Sequence, residues 1–206
     1  GYALPAGMVE NWKKYQKKLS NTWTYHAKNH PHYYYNDDLQ QAYRLYTLAL
    51  AKSPELGAMN RLREAPELSL AAKWRLAAAY ALSGQPEIGK QMIHNAPITV
   101  AKYSEMWYTY GSSERDEAMI IEALCSMGEF TKAATLVKAL SVELSNNNYW
   151  MSTQTTAYSL IAISRFAKSG GSSGVLSCSW AINQAALQSK NTKLPMSQMP
   201  IDIKSV

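Results

Sequence analysis

The chain has 206 residues, of which 47% are hydrophobic and 17% are charged. This composition supplies a packed core for one good-sized domain and argues against a disordered chain. No stretch approaches twenty uninterrupted apolar residues, which excludes a membrane span. The two cysteines, Cys125 and Cys178, are too few for a disulfide scaffold or a structural zinc site, and the sequence leaves open whether they pair.

The formal net charge of +6 is concentrated near the start of the chain, where five lysines against one glutamate place +4 in the first 35 residues. A nucleic-acid surface favours arginines, glycines and aromatic residues together, whereas this cluster offers lysines only. We therefore interpret it as a solvated helix face and expect no nucleic-acid partner. The chain begins with Gly1 rather than Met, so we interpret it as a piece of a longer protein and expect any signal peptide upstream.

Two helices are predicted in the first fifty residues. A stripe at helical spacing predicts the first one and consists of Met8, Trp12, Tyr15 and Leu19. Asn36 is predicted to cap the second, whose first turn holds Asp37 and Asp38, because negative charge suits the positive end of the helix dipole. The buried face expected for this second helix consists of Leu39, Ala42, Tyr43, Tyr46, Ala49 and Leu50.

The next helices are predicted to come in pairs joined by short turns. Pro54 and Pro86 suit the first turn of a helix, and Gly84 and Gly128 lie where a helix end needs a left-handed residue. Ser69 is predicted to begin another helix. Ser113 and Asp116 resemble a capping box at the start of a later one.

A weak internal repeat supports this pairing. The segment Pro54-Glu55-Leu56-Gly57 recurs as Pro86-Glu87-Ile88-Gly89, an offset of 32 residues. Each helical hairpin has more apolar surface than it can bury alone, so stacking against neighbouring hairpins is expected.

The predicted helix over 152–167 is apolar nearly all round, which is typical of a helix buried on all sides. The sequence therefore predicts an all-α fold: an α/α toroid-like assembly of helical hairpins over 1–168. A flexible connector is predicted over 169–174, followed by a short β-rich segment over 175–206. Period-two alternation predicts strands at 176–182 and 199–203, and a further extended segment at 98–110.

Few residues suggest chemistry. Cys125 lies near a helix C-terminus without a neighbouring His, so we predict a buried core thiol rather than a nucleophile. His26, His30 and His32, with the following Asp37 and Asp38, are interpreted as an exposed polar loop rather than a metal site, because Asn29 and Pro31 interrupt the helix that such spacing would need. We predict no catalytic residue, no metal site and no cofactor.

Two segments resemble a known family. The run Trp150-Met151-Ser152-Thr153-Gln154-Thr155-Thr156 resembles the Ser-Thr-Gln-x-Thr helix start of thioester-containing domains, the helical domains of alpha-2-macroglobulins and complement thioester proteins. A second run is similar to the Tyr-Gly-Ser-x-x-Arg-Asp-x-Ala stretch of the bacterial alpha-2-macroglobulin branch. It consists of Tyr110, Gly111, Ser112, Arg115, Asp116 and Ala118.

This resemblance implies the C-terminal part of a thioester-domain-like α/α toroid, followed by β-rich modules. It also implies a secreted or periplasmic bacterial protein, lipid-anchored in some members, that traps target proteases. The partners implied are those proteases and the neighbouring domains of the parent chain. The Cys-x-Glu-Gln thioester motif is absent from these residues, so the resemblance transfers no catalytic residue.

The family-motif residues are accordingly expected to be structural. Hydroxyls of Ser152 and Thr153 can cap a helix start, and Gln154 can bond backbone groups left unpaired there. Arg115 presents a planar fork suited to a loop carbonyl or a carboxylate. The full set is Tyr110, Gly111, Ser112, Arg115, Asp116, Trp150, Ser152, Thr153, Gln154 and Thr156.

Two alternatives stay open at this point. The internal repeat, with its offset of 32 residues, favours a helical-repeat scaffold of tetratricopeptide type that binds a peptide in a groove. An α/α-barrel carbohydrate-active enzyme would instead need two carboxylates facing one cleft.

Overall fold

The computed structural model describes residues 3–27, 37–105, 111–146, 151–170, 175–182 and 186–193. Within these ranges the protein is mostly helical, with eight α-helices and two small antiparallel sheets. The helices are α1 (Met8–Thr22), α2 (Asp37–Leu50), α3 (Leu56–Arg63), α4 (Leu70–Leu82), α5 (Pro86–Met92), α6 (Ser113–Ser126), α7 (Phe130–Leu144) and α8 (Thr153–Gly170). The strands are β1 (Ser104–Glu105), β2 (Gly111–Ser112), β3 (Leu176–Trp180) and β4 (Gln188–Thr192).

The even-numbered helices form the centre of the fold. Helix α4 packs against α2 and α6, and α6 packs in turn against α8. The odd-numbered helices flank this row: α3 contacts α2 and α4, α5 contacts α4, and α7 contacts α6 and α8. Helix α1 lies beside α2 and α3. The predicted helical hairpins are therefore present as α4–α5 and α6–α7.

Local turn signals predicted most helix ends correctly. Gly84 and Gly128 adopt the left-handed conformation, with φ of 82° and 77°. Pro86 is the first residue of α5, and the Ser69 side chain caps α4 by accepting a hydrogen bond from the backbone N–H of Ala72. The prediction for Pro54 is wrong, because it precedes the α3 N-cap residue and lies outside the helix.

The start of α6 also differs from the prediction. Ser112, not Ser113, is the N-cap residue, and its hydroxyl accepts a hydrogen bond from the backbone N–H of Arg115. Ser112 keeps an extended backbone because it still belongs to β2, which pairs with β1. The helix therefore begins at Ser113, one residue earlier than a cap at Ser113 would require. The predicted cap at Asn36 lies outside the described residues.

Close approach of α5 to α4 depends on small residues. Ala77, Ala78 and Ala79 of α4 are fully buried. A Cβ atom added to Gly89 of α5 would lie 2.7 Å from the carbonyl oxygen of Ala77, a distance that real contacts do not reach. Gly89 is thus required by the packing of this hairpin.

The apolar faces predicted for α1 and α2 are only partly buried. In α1, Met8 and Tyr15 are more than half exposed, because the helix lies at the edge of the assembly. In α2, Ala42, Tyr46 and Ala49 are buried as predicted. Tyr43 and Leu50 of that helix are exposed, and Leu45 and Leu48 take their place in the core.

Helix α8 is not buried on all sides. Leu160 is 58% exposed and Ile161 is 51% exposed, whereas the inward face consists of Ser152, Thr155, Ser159 and Ala162. Helices α6 and α7 cover only one side of α8. Small residues fill that side because α6 approaches closely, so the prediction of burial on all sides is wrong.

The C-terminal part of the described chain forms a β-hairpin. Strand β3 confirms the strand predicted from residue 176, and it pairs with β4 so that Cys178 lies opposite Lys190. Strand β4 lies within the segment predicted to be β-rich, but its own position was not predicted, since its sequence is polar throughout. Helix α8 continues to Gly170 and includes the first two residues of the predicted connector. Residues 171–174 and the strand predicted at 199–203 lie outside the described residues.

Of the extended segment predicted at 98–110, residues 104–105 form β1, and residues 106–110 lie outside the described residues. Among the described helices, none combines the length and apolarity needed to cross a bilayer.

Candidate functional site: a polar junction and a cavity

The two family-motif segments meet at the starts of α6 and α8. The hydroxyl oxygens of Ser112 and Thr155 lie 3.0 Å apart, and Ser152 Oγ donates to Thr155 Oγ1 over another 3.0 Å. Ser152 also caps α8 by accepting from the backbone N–H of Thr155 at 3.1 Å. All three side chains are buried. A short chain of hydroxyls therefore joins the caps of two helices 40 residues apart in sequence.

Arg115 and Asp116 form the second part of this junction. Arg115 donates from Nη2 and Nε to Asp116 Oδ1, at 2.9 and 3.1 Å. The Tyr103 hydroxyl donates to the other Asp116 oxygen and accepts from Arg115. Burial alone would lower the pKa of Arg115, but Asp116 and Tyr103 outweigh it and raise the pKa. Arg115 thus remains charged and holds a carboxylate.

The other motif residues are less involved. Gln154 Oε1 lies 3.5 Å from Arg115 Nη1, so its described contact is a side chain rather than the expected backbone group. Thr153 begins α8 and is exposed, and Thr156 is half-buried. Gly111 belongs to β2. Tyr110 and Trp150 lie outside the described residues.

A polar cluster occupies the space between the four even-numbered helices, each of which contributes one residue. Arg75 of α4 pairs with Glu122 of α6 at 2.9 Å. Arg165 of α8 lies 3.4 Å from the other Glu122 oxygen and donates to the Tyr46 hydroxyl of α2 at 2.6 Å. Tyr46 in turn donates to Glu122 at 3.4 Å. One carboxylate therefore serves two guanidinium groups and a phenol.

The remaining polar surface of Arg75 faces aromatic rings. Its guanidinium carbon lies 4.3 Å from the ring centre of Tyr46 and 5.5 Å from that of Tyr43. Arg75 is fully buried, and in the described structure its Nε and Nη2 atoms have no hydrogen-bond partner. The tyrosine faces supply the electrostatic counterpart, since aromatic rings attract cations. Burial, followed by the charge of Glu122, raises the pKa of Tyr46, so the phenol stays protonated.

The first and fourth helices of the central row also touch directly. The hydroxyl of Tyr158 in α8 donates to that of Tyr43 in α2 at 2.6 Å, and their ring centres are 6.5 Å apart. Burial and this hydrogen bond raise the pKa of Tyr158. Two long side chains therefore link α2 and α8, the first and last helices of this row.

A cavity of about 460 Å³ opens beside these two tyrosines. It lies between α1, α2, α6 and α8, and its wall contains no Asp or Glu among the described residues. Its lining is Trp12, Gln16, Leu39, Gln40, Tyr43, Arg44, Thr47, Arg115, Met119, Gln154 and Tyr158. Two guanidinium groups and three amides thus line an otherwise largely apolar and aromatic space.

A second cavity of about 390 Å³ lies where α2 begins, and it contains Asp37 and Asp38. Both carboxylates already hold local structure. Asp37 accepts from the Trp23 indole at 3.0 Å, and Asp38 accepts from the backbone N–H of Ser69 at 2.5 Å. These bonds fix the start of α2 against its surroundings.

The histidines and aspartates that the sequence analysis interpreted as a polar loop rather than a metal site do not assemble in the described part of the chain. His26 lies 4.0 Å from Asp37, and His30 and His32 lie outside the described residues. No group of three His, Cys, Asp or Glu side chains comes together in the ranges that the structure covers.

Cys125 is buried, as predicted, and Cys178 is exposed; both are free thiols. Burial raises the pKa of Cys125 to about 11, so the reactive thiolate is absent at neutral pH. This thiol is therefore a core residue.

Comparison of the chain with protein-family models, curated proteins and solved structures finds no match. Membership of the alpha-2-macroglobulin family consequently stays a prediction that depends on the motif residues.

The sequence analysis did not predict the polar cluster or the position of Arg44 in the cavity wall. A signal was present for Glu122, which interrupts the apolar run from Met119 to Leu124. Arg75 likewise lies among apolar residues of α4. Charges inside apolar runs are typical of buried ion pairs, because an unpaired buried charge is costly.

Proposed function

We propose that this chain is a non-catalytic α/α toroid domain of a bacterial alpha-2-macroglobulin-like protein. Its role is to dock against neighbouring modules and to change those contacts when a protease cleaves the whole molecule. The parent protein acts outside the cytoplasm, secreted or in the periplasm, and its partners are the attacking proteases. This proposal rests on the motif resemblance together with the packing of the central helices.

The contact between Tyr43 and Tyr158 is the observation that carries the toroid. In an open superhelix of repeats each hairpin contacts only its neighbours. Here α2 and α8, at opposite ends of the central row, meet through a 2.6 Å hydrogen bond. A contact of this kind supports a ring over a tetratricopeptide-like scaffold.

The use of the motif residues supports a structural role. Ser112 and Ser152 cap helices, and Arg115 and Asp116 bond to each other. These groups are engaged in holding β2, α6 and α8 together. A residue poised to react would instead need an activating base and access to substrate.

The internal repeat, at its offset of 32 residues, gives little support to the tetratricopeptide-like alternative. Pro86 is the first residue of α5, but Pro54 lies outside α3. Gly89 packs tightly on α4, whereas a Cβ at Gly57 would approach only the end of the Arg61 side chain at 3.8 Å. The two segments are similar in sequence but differ in their structural roles.

A protease-protection assay on the larger parent protein tests the proposal. The parent is incubated with trypsin, and residual activity is measured on a large protein substrate and on a small chromogenic peptide. We expect loss of activity on the large substrate alone, because a trapped protease remains accessible to small molecules. The isolated chain is the control and should protect neither substrate. Equal activity on both substrates, or hydrolysis of peptides or polysaccharides by the chain itself, would contradict the proposal.

A further inference from the structure

The cavity between α1, α2, α6 and α8 has the size and lining of a ligand site. Its volume of about 460 Å³ lies within the range of pockets that hold small organic ligands. Trp12, Tyr43 and Tyr158 provide aromatic surface, and Leu39 and Met119 add apolar surface. Such a wall favours a ligand with an aromatic body.

Arg44 brings a positive charge to the wall of this cavity. Its Nε and Nη1 atoms donate to the amide oxygens of Gln16 and Gln41, at 3.2 and 2.5 Å. These acceptors are neutral, and among the described residues no carboxylate forms an ion pair with Arg44. Burial lowers the pKa of Arg44 more than the charges of Asp37 and Tyr15 raise it. The guanidinium is nonetheless charged at neutral pH and has no carboxylate at its side.

Other arginines near the cavity add to the positive electrostatic potential of Arg44. Arg115 lies in the same wall, although its charge is already paired with Asp116. Behind Tyr43, the polar cluster contains two arginines and one glutamate, a net charge of +1. An anion entering the cavity would therefore meet Arg44 as its direct partner and a favourable potential from the other guanidinium groups.

We propose that this cavity binds an aromatic carboxylate, with its carboxylate on Arg44 and its ring against Trp12, Tyr43 and Tyr158. An arginine fork matches a carboxylate in geometry, and a partly desolvated wall strengthens that bond. The carboxylate can come from a free aromatic acid or from the C-terminal aromatic residue of a polypeptide. This inference does not depend on the alpha-2-macroglobulin proposal.

Isothermal titration calorimetry with two matched ligands tests the inference. The probes are 3-phenylpropionate and its neutral analogue 3-phenylpropionamide, which share the ring and differ in charge. We expect the acid to bind about tenfold more tightly or better, as a charge-assisted hydrogen bond predicts. Absence of acid binding, or equal binding of acid and amide, would overturn the proposal. This comparison uses the unaltered chain, so it decides the question whatever a variant does.

Two variants test whether the carboxylate of the ligand binds to Arg44. Arg44→Gln should abolish the preference for the acid, whereas Lys14→Gln, an exposed site on α1 with the same charge change, should keep it. Unchanged binding by Arg44→Gln, with a native circular dichroism spectrum, would also overturn the proposal.

A third experiment distinguishes the two sources of the carboxylate, a free aromatic acid and a polypeptide C-terminus. A short peptide ending in a free Phe is compared with the same peptide carrying a C-terminal amide. Binding of the free-acid peptide assigns a polypeptide C-terminus as a ligand, and binding of 3-phenylpropionate alone assigns a free acid. Both results support the carboxylate site, whereas failure of 3-phenylpropionate to bind contradicts it even if the peptide binds.

Discussion

Arg75 on α4 and Glu122 on α6 form an ion pair 2.9 Å long, in which the two side chains are 0% and 4% exposed. Glu122 is also the carboxylate nearest to Arg165 of α8 and an acceptor for Tyr46 of α2. Its removal would leave buried Arg75 and partly exposed Arg165 without a negative partner. The central helices therefore depend on one acidic side chain for their charge balance.

Glu122→Gln should consequently lower the free energy of unfolding by about 3–5 kcal/mol, the usual cost of breaking a buried pair from one side. Urea denaturation followed by circular dichroism measures it. Glu87→Gln is the matched control, because the pair of Glu87 with Lys90 lies on the surface and should contribute little. Similar destabilisation by both variants would contradict the buried-pair account.

Substitution of two adjacent serines tests which of them caps α6. Ser112→Ala should destabilise the protein by about 1–2 kcal/mol, since it removes the N-cap bond to Arg115 and the bond to Thr155. Ser113→Ala should be neutral or slightly stabilising, because the buried Ser113 hydroxyl has no partner in the described structure. Thermal unfolding of both variants checks the pair. A larger loss for Ser113→Ala would place the cap where the sequence pattern predicted it.

Gly57 and Gly89 occupy equivalent positions in the internal repeat, and substitution by alanine should have opposite effects on stability at the two positions. Gly89→Ala should destabilise by about 1–3 kcal/mol, because the new Cβ would meet the Ala77 carbonyl of α4 at 2.7 Å. Gly57→Ala has space around it and should be neutral or stabilising by up to about 1 kcal/mol, since alanine is the better helix former. Denaturant midpoints compare them, and equal effects would argue against the close α4–α5 contact.

The two thiols should differ in reactivity. At pH 8 a thiol reagent should label exposed Cys178 quickly and leave buried Cys125 unreacted until the protein unfolds. Rapid labelling of both thiols in the native protein would show that α6 is not packed as described.

The same thiol predicts a pH dependence of stability. Folding raises the pKa of Cys125 from 9.0 to about 11, so between these values the unfolded state binds fewer protons than the folded state. The stabilising contribution of this thiol is present below pH 9 and is lost as the pH rises through about 11. Cys125→Ala should show a shallower fall in unfolding free energy over this window than the unaltered chain does. Parallel pH profiles for the two proteins would refute the shift.

Local signals predicted the helical hairpins well, because glycine, proline and serine act over a few residues. Gly84, Gly128, Pro86 and Ser69 each mark an end that the structure confirms. The cap of α6 was missed by one residue, since the pairing of β2 with β1 keeps Ser112 extended, and a short-range pattern does not contain that constraint.

The site was predictable only in part. The two motif segments could be identified from sequence, but their meeting at Ser112 and Thr155 is a tertiary contact. Apolar periodicity placed Leu160 and Ile161 inside, whereas the close approach of α6 selects the small residues of α8 instead. The cluster of Tyr46, Arg75, Glu122 and Arg165 draws on four separate helices, so no single window of sequence contains it.

Crosslinking of α2 to α8 tests the proposed α/α toroid most directly. Cysteines replace Tyr43 and Tyr158, whose ring centres are 6.5 Å apart, in a chain with Cys125 and Cys178 changed to serine. A short bismaleimide should then give an intramolecular link in the double-cysteine chain, detected by mass spectrometry after proteolysis, and none in either single-cysteine chain. If both cysteines react with the reagent separately yet never join, α2 and α8 stand apart, and the proposed α/α toroid is contradicted.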